Sequence, residues 1–388
     1  MNPKIKIAFL DYSNIFSGAE MSLHSLINYL DPNVFESLIY FRYPQDHQER
    51  YADLACEKRY LAQDKKWWMG SDRWKKPIRG SDFLKRLIFG FKLARMAKKE
   101  KIDILHINLI LKDTFLWALL PRLFRIKVVS HSRSDLMNWI PSFFIQKQCN
   151  AIICVSDFVK DKVLTKYHNS PAYTVYDPVD FNYYQDGITK EQALKSLGIN
   201  PKQRLLSSVG LLSAHKGHDM AIRVFARFAE QFPNHILMIA GGGNDNELKR
   251  LKQLAIEKGM GNRVIFTEKQ IANIATVYRA SDLIFSLTTR GEAFGRVPFE
   301  GNACDAVVIA PAKGAAIELI RDNETGFLVD PLNEEAILLK TLYILQHPAE
   351  AETIVAQGKS YFSQMLSPEY SAQKVSEIYH TVMKESRK

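Results

Sequence analysis

Two successive series of short apolar strands alternating with helical stretches predict an α/β protein of two doubly wound domains facing across a cleft. Three observations carry this expectation. The alternation runs through the first 180 residues, pauses at Asp177-Pro-Val-Asp-Phe-Asn-Tyr-Tyr184, and resumes at Arg204. The 388 residues exceed what one ordinary core holds and suit two domains. Hydrophobic residues at 46% and charged residues at 24% are ordinary globular values, which excludes wholesale disorder.

In the first series, Lys4–Leu10 is an apolar run ending at Asp11, followed by a polar loop with Ser17-Gly-Ala-Glu20. Leu23, Leu26, Ile27 and Leu30 then form one helix face, closed by Asp31-Pro32. Leu38–Phe41 reads as a second strand. Phe83 to Lys99 reads as a crossover helix that lays Leu84, Leu87, Ile88, Phe91 and Ala94 on the sheet and leaves its basic residues solvated. Ile102–Ile107, Lys127–His131 and Ala151–Val155 are short buried-type strands. In the second series Arg204–Val209 is a strand ending in Gly210, and Asp219–Gln231 a helix. Ile236–Ala240 is a strand ending in Gly241-Gly-Gly243, and Asn246–Lys258 a helix. Val264–Phe266, Leu283–Leu287, Val307–Ala310 and Phe327–Val329 follow as strands. The expected division is residues 1–180, residues 181–365, and a helix over 366–388 packing back on the first domain.

The start, Met1-Asn-Pro-Lys-Ile-Lys-Ile-Ala-Phe-Leu10, reads as a strand and not as a signal peptide, and no run approaches the roughly 18 apolar residues of a membrane span. Cys56, Cys149, Cys154 and Cys304 have no metal-ligand or redox spacing, which fits reduced thiols in a cytoplasmic protein. The net charge of +10 is local: Lys58 to Lys101 holds 15 basic and four acidic residues. A local patch needs a local explanation.

Ligands of such sheets bind beyond the carboxyl ends of the strands. There, Leu287-Thr-Thr-Arg-Gly-Glu-Ala-Phe-Gly295 leads into a helix beginning near Arg296, with Pro298 in its first turn. A strand, a glycine-containing loop and a helix N-terminus together offer unpaired N–H groups and a positive dipole end to an anion. Glu292 stands just before those donors and Glu300 eight residues on, and a carboxylate accepts two hydrogen bonds from vicinal hydroxyls.

Gly291-Glu-Ala-Phe-Gly-Arg-Val-Pro-Phe-Glu300 resembles the E-x7-E region of retaining glycosyltransferases of the family-4 type, which have the GT-B fold of two Rossmann-like domains. Other matches follow in the family's order. They are Ser17-Gly-Ala-Glu20, the strand ending at His131, Ala151-Ile-Ile-Cys-Val-Ser156, Val209-Gly-Leu-Leu-Ser-Ala-His-Lys-Gly217, Tyr278-Arg-Ala-Ser-Asp-Leu283 and Glu324-Thr-Gly-Phe-Leu-Val329. The resemblance implies a first domain facing the acceptor and the membrane, and a second binding a nucleotide sugar. It implies that Glu292 contacts hydroxyls of the transferred sugar, with N–H groups from Phe294, Gly295, Arg296 and Val297 near the sugar and diphosphate. By the same resemblance Glu300 binds the ribose, Lys216 beside Gly210 neutralises the departing diphosphate, and Gly18 admits the first loop close to it. His131 then lies under the donor sugar. No metal is implied, and the donor is a UDP- or GDP-sugar. The plainer counterparts are a solvated lysine, a structural histidine and a turn glycine. His106 reads as structural, and Gly241-Gly-Gly243 as a tight turn.

Three departures stand out. The family's arginine after the strand glycine is Leu211, and Arg296 is the candidate to replace it at the diphosphate. The glycine after the Val264–Phe266 strand is replaced, which leaves base recognition to the region of Lys269 and Gln270. The linker motif begins Asp177-Pro-Val-Asp180.

Within the basic region, Lys65-Lys-Trp-Trp-Met-Gly-Ser-Asp-Arg-Trp-Lys-Lys76 sets Trp67, Trp68 and Trp74 among five basic residues, Lys75 and Lys76 included. Tryptophan with lysine and arginine suits an anionic membrane interface. A loop folded onto the first domain, or a single-stranded nucleic-acid surface, shares that composition. Trp139, Phe143 and Phe144 suit either the acceptor side or core packing. The expectation is a retaining, metal-independent glycosyltransferase, peripheral at the cytoplasmic face of the plasma membrane. It would act on a lipid-linked acceptor in polysaccharide or lipopolysaccharide synthesis, with no nucleic-acid partner. The alternatives are a sugar-nucleotide epimerase or hydrolase of the same fold, and a basic membrane- or nucleic-acid-binding protein with a degenerate site.

Overall fold

The computed structural model describes residues 3–11, 18–41, 46–61, 80–108, 121, 124–133, 149–168, 171–185, 187–267 and 273–384. The chain forms two compact units, one of Met1–Pro178 with Pro368–Lys388, the other of Val179–Ser367.

The first unit holds a parallel sheet of seven strands in the order β3-β2-β1-β4-β5-β6-β7. These are β1 (Ile5–Asp11), β2 (Phe35–Phe41), β3 (Glu57–Tyr60), β4 (Ile104–Ile107), β5 (Lys127–Ser132), β6 (Ala151–Cys154) and β7 (Ala172–Thr174). Helices α1 (Gly18–Tyr29), α2 (Gly80–Lys99) and α3 (Asp157–Lys166) belong to it. Burial on both faces explains why β1, β4 and β6 read as predominantly apolar runs, interrupted only by Lys6 and Asp11 in β1 and His106 in β4. Helix α3 is capped by Ser156, whose side chain accepts from the Val159 N–H at 3.2 Å. The last helix of the chain, α12 (Pro368–Lys384), completes this unit. It buries Ala372, Val375, Ile378, Tyr379 and Val382 in one cluster with Ile7, Phe9, Leu23, Phe35 and Ile104.

Helix α2 corrects the sequence reading of its face. Ile88 and Phe91 are each 47% exposed, whereas Gly90, Leu93, Ala94 and Ala97 are buried. The buried stripe keeps helical spacing but runs through Gly90, Leu93, Ala94 and Ala97, so the expectation holds at Ala94 and fails at Ile88 and Phe91. The side chains of Leu84 and Leu87 lie outside the described residues.

The second unit holds six parallel strands in the order β10-β9-β8-β11-β12-β13. Their ranges are β8 (Arg204–Val209), β9 (His235–Ala240), β10 (Val264–Thr267), β11 (Ser281–Phe285), β12 (Val307–Pro311) and β13 (Phe327–Val329). Its helices are α4 (Lys190–Ser196), α5 (His218–Phe228), α6 (Asp245–Glu257), α7 (Ile274–Ala280), α8 (Val297–Ala303), α9 (Ala316–Leu319), α10 (Glu334–Gln346) and α11 (Pro348–Met365). Ala221, Ile222, Phe225 and Phe228 of α5 fill the core with Leu206, Leu237, Leu283 and Ile309 of the strands. Asp282 ties the start of β8 to β11: its carboxylate accepts from the Leu205 N–H at 3.0 Å and from Arg204 at 2.8 Å. Among the described residues no helix is long and apolar enough to cross a membrane.

Candidate active site

Strand order fixes where the second unit's functional loops meet. The chain enters at β8, builds outward through β9 and β10, and then returns to β11 on the other side of β8. The loops leaving β8 and β11 therefore diverge at a topological switch point, where a crevice opens beyond the carboxyl ends of the strands.

Glycines bring these two loops together. Gly217 has φ +73°, and a Cβ there would lie 2.2 Å from the Leu287 carbonyl oxygen. The Thr289 N–H donates to the His215 carbonyl at 2.8 Å. This pairing delivers Lys216 from one loop and Glu292 from the other, and their side chains form an ion pair. Each is about one quarter exposed, at 24% and 25%. The backbone of Glu292 is held from a third direction: its carbonyl accepts from the Ala315 N–H at 3.1 Å, and a Cβ on Gly314 would approach its N and O to 2.6 Å. Gly295, at φ +75°, turns the chain over the Glu292 side chain and into α8. Phe294 itself is core, packed on Phe299 with ring centroids 5.1 Å apart, so only its backbone faces the loop's chemistry.

Glu300 lies in the first turn of α8 and is 6% exposed. The Tyr278 hydroxyl donates to its Oε2 at 2.9 Å, and Arg296 Nε donates to its Oε1 at 2.7 Å. Burial, and next the Glu300 charge, holds the Tyr278 hydroxyl well above its ordinary pKa, so it remains a donor. Each carboxylate oxygen retains acceptor capacity for a ligand diol. Arg296, the candidate for the missing diphosphate arginine, is 14% exposed and paired with Glu300. Leu211, where the family has arginine, is 66% exposed. Its carbonyl accepts from His218 Nε2 at 3.2 Å, while His218 Nδ1 meets Ser208 Oγ at 2.8 Å. This buried histidine clamps the β8 loop, a role that sequence reading missed. Gly241 lets the β9 turn abut that loop, since a Cβ there would fall 1.8 Å from the Gly210 carbonyl oxygen.

The first unit holds a buried polar network of its own. His131, in β5, is 4% exposed. Its Nδ1 lies 3.3 Å from His106 Nε2 of β4 and 3.3 Å from the Arg133 guanidinium. His106 Nδ1 is 2.7 Å from the Tyr379 hydroxyl of α12. Arg133 forms a buried ion pair with Asp177 and donates through Nε to Asn108 Oδ1 at 3.0 Å. Burial first, then the Arg133 charge, lowers His106 to about 3; the same causes, with His106, hold His131 well below the ordinary value. Gly18 opens α1, and the loop it was expected to shape, 12–17, lies outside the described residues. So do Lys269, Gln270, Trp67, Trp68, Trp74, Lys75, Lys76, Trp139, Phe143 and Phe144. His106, Arg133, Asp177, Tyr278 and Tyr379 were not singled out as site residues by the sequence. Tyr278 and Asp177 carried a signal, as the tyrosine of one family motif and the first residue of the altered linker motif.

Two parallel sheets, with charged residues meeting on glycine-shaped loops at a switch point, define a GT-B glycosyltransferase architecture. The model of "Glycosyltransferase Family 4" matches residues 16–183 and that of "Glycosyl transferases group 1" residues 189–361. The chain belongs to the family-4 type of glycosyltransferases. Among curated proteins, the D-inositol 3-phosphate glycosyltransferase of Rhodococcus opacus is 30% identical over 206 residues, 52% of this chain and 46% of that protein. The chain thus matches less than half the length of that relative. The lipopolysaccharide core biosynthesis mannosyltransferase LpsB of Rhizobium meliloti is 25% identical over 67% of this chain and 73% of its own. Among solved structures, Anabaena HepE in complex with UDP and glucose aligns with a TM-score of 0.81 at 20% identity, covering 97% of this chain and all of that one. A glycosyltransferase from Rickettsia africae aligns at 0.80 and 20% identity, covering 99% of this chain and 100% of its own.

Proposed function

We propose that the chain is a retaining glycosyltransferase that moves a sugar from a nucleotide-sugar donor to a glycan acceptor. The Lys216–Glu292 pair at the second unit's switch point carries this reading. Cation and carboxylate neutralise each other in the free protein, and donor binding gives each a better partner. Lys216 turns to the diphosphate, and Glu292 to the hydroxyls of the transferred sugar. As the bond from the sugar's anomeric carbon to the diphosphate breaks, negative charge grows on the leaving oxygen and positive charge on the sugar ring. A preplaced cation and the N–H groups of Phe294–Val297 lower the energy of that separation without solvent reorganisation. Lys216 takes the part that a divalent cation plays in metal-dependent transferases. Glu300, oriented by Tyr278 and Arg296, receives the ribose diol. By the family resemblance, His131 bonds a hydroxyl of the donor sugar or stabilises the oxocarbenium-like transition state.

The acceptor is lipid-linked, as in lipopolysaccharide or polysaccharide synthesis, and the enzyme docks at the cytoplasmic membrane face. Support for docking comes from the tryptophan-rich basic segment of the sequence and from α2, where Ile88 and Phe91 stand exposed beside Lys92, Arg95, Lys98 and Lys99. Exposed apolar side chains framed by cations suit an anionic lipid surface.

A thermal-shift screen against UDP-, GDP-, ADP- and dTDP-sugars, with and without EDTA, tests the donor reading. One sugar nucleotide should raise Tm equally in both conditions; no shift with any of them would sink it. Flotation with anionic vesicles tests docking: the double variant Ile88→Ser, Phe91→Ser should lose binding, and undiminished flotation would remove α2 from the docking surface.

A further inference from the structure

We propose that Arg133, His106 and Tyr379 are positioning residues that fix His131 as the Nε2–H tautomer, so that it presents a hydrogen-bond donor to a hydroxyl of the bound sugar. What His131 faces rests on the functional reading above; the proton arrangement follows from the free protein alone.

The order of protons is set by the one group in the network that cannot accept. A guanidinium has only donors. Arg133 Nη2 lies 3.3 Å from His131 Nδ1, so that nitrogen is an acceptor. Arg133 is held in place, because Nη1 is paired with buried Asp177 and Nε donates to Asn108 Oδ1 at 3.0 Å. A neutral imidazole with an accepting Nδ1 carries its proton on Nε2. His106 Nε2 meets the same Nδ1 at 3.3 Å, and two lone pairs facing each other would repel. His106 therefore also carries its proton on Nε2 and accepts through Nδ1. The Tyr379 hydroxyl, 2.7 Å from that Nδ1, has to donate. Protons thus point one way from α12 through β4 to β5, and the open end of the chain is His131 Nε2–H. That nitrogen is buried and has no hydrogen-bond partner among the described residues. His106 and Arg133 have their partners within the network, so Nε2 is its open position and suits an incoming acceptor atom; Ser130 Oγ of the same strand is likewise buried without a hydrogen-bond partner among the described residues. Burial keeps both imidazoles neutral, which preserves the pattern through the physiological range.

Two-bond proton–nitrogen correlation spectra of the full chain, labelled with 15N-histidine, read these tautomers without substrate. His131→Gln and His106→Gln supply the assignments. Both histidines should appear protonated on Nε2 alone. Tyr379→Phe removes the donor to His106, which should then exchange between tautomers. Losing one hydrogen bond should lower kcat about 10-fold while KM for the donor stays near wild type, and Tm should fall because His106 Nδ1 is left buried without its donor. A wild-type His131 protonated on Nδ1 overturns the relay. Unchanged His106 signals and kcat in Tyr379→Phe overturn it equally. The stated tautomers in a chain that binds no nucleotide sugar would support the relay and sink the functional reading instead.

Discussion

The two units offer their polar groups to ligand chemistry in opposite ways. In the second, Lys216 and Glu292 sit on loops, partly exposed, and compensate each other's charge. In the first, His106, His131, Arg133 and Asp177 are buried among strands and a distant helix, with their partners fixed. An exposed pair exchanges partners at small cost, because water and ligand replace what is lost. A buried network does not exchange, because each broken contact strands a polar group away from water. The side chains of the second unit's pair can thus change partners readily, whereas those of the first unit's network are held in place.

Variants can break this contrast, beginning where the effect is largest. Arg133→Met leaves Asp177 as an uncompensated buried charge and should cost about 3–5 kcal/mol, read by denaturant unfolding. Adding Asp177→Asn should recover part of the loss. Glu292→Ala removes an exposed partner and should leave Tm near wild type. Transfer at saturating donor should nonetheless fall about 10²–10³-fold, the usual cost of one group that stabilises transition-state charge. A variant in which fold and activity fell together would erase the distinction between responsive and preset groups.

Acid should act on the buried histidines. Burial holds folded His106 at about 3 and folded His131 well below the ordinary 6.5. Between those values the unfolded chain binds protons that the folded chain does not. Stability is therefore full above pH 6.5 and falls as pH drops, by about 1.4 kcal/mol per unit for each such histidine. Unfolding curves at pH 7.5 and 5.0 measure this slope, and His106→Gln should flatten it. The smallest effect belongs to Tyr278→Phe, which removes one donor to Glu300. Donor affinity should weaken by roughly 1 kcal/mol, about fivefold, in a calorimetric titration.

What the sequence disclosed follows the same division. Parallel strands buried on both faces read as apolar runs, so the α/β class and two sheets were legible from Ile5 to Val329. Gly217, Gly295 and the Lys216 and Glu292 beside them sit in short contiguous segments, and local spacing exposes such segments. The polar network was not legible, because Tyr379 lies 273 residues from His106 and Asp177 lies 44 from Arg133. Nothing local marks such pairs. Helix α2 was read correctly at Ala94 but not at Ile88 and Phe91: its bulky residues suggested the inner face, yet Gly90, Leu93 and Ala97 are the ones buried with Ala94. Asp177, the first residue of the altered linker motif, supplies the carboxylate that holds Arg133.

Helix α12 has a consequence for the order in which this protein can be made. The first sheet is synthesised early, yet Ala372, Val375, Ile378, Tyr379 and Val382 of its core arrive only after the whole second unit, residues 179–367, has been translated. At ordinary ribosomal speeds that interval is roughly 10–40 s. Throughout it, Ile7, Leu23 and Phe35 lack their final neighbours, and His106 lacks the hydroxyl that orients it. The first unit must therefore wait on the ribosome with part of its core unfilled until its last helix emerges.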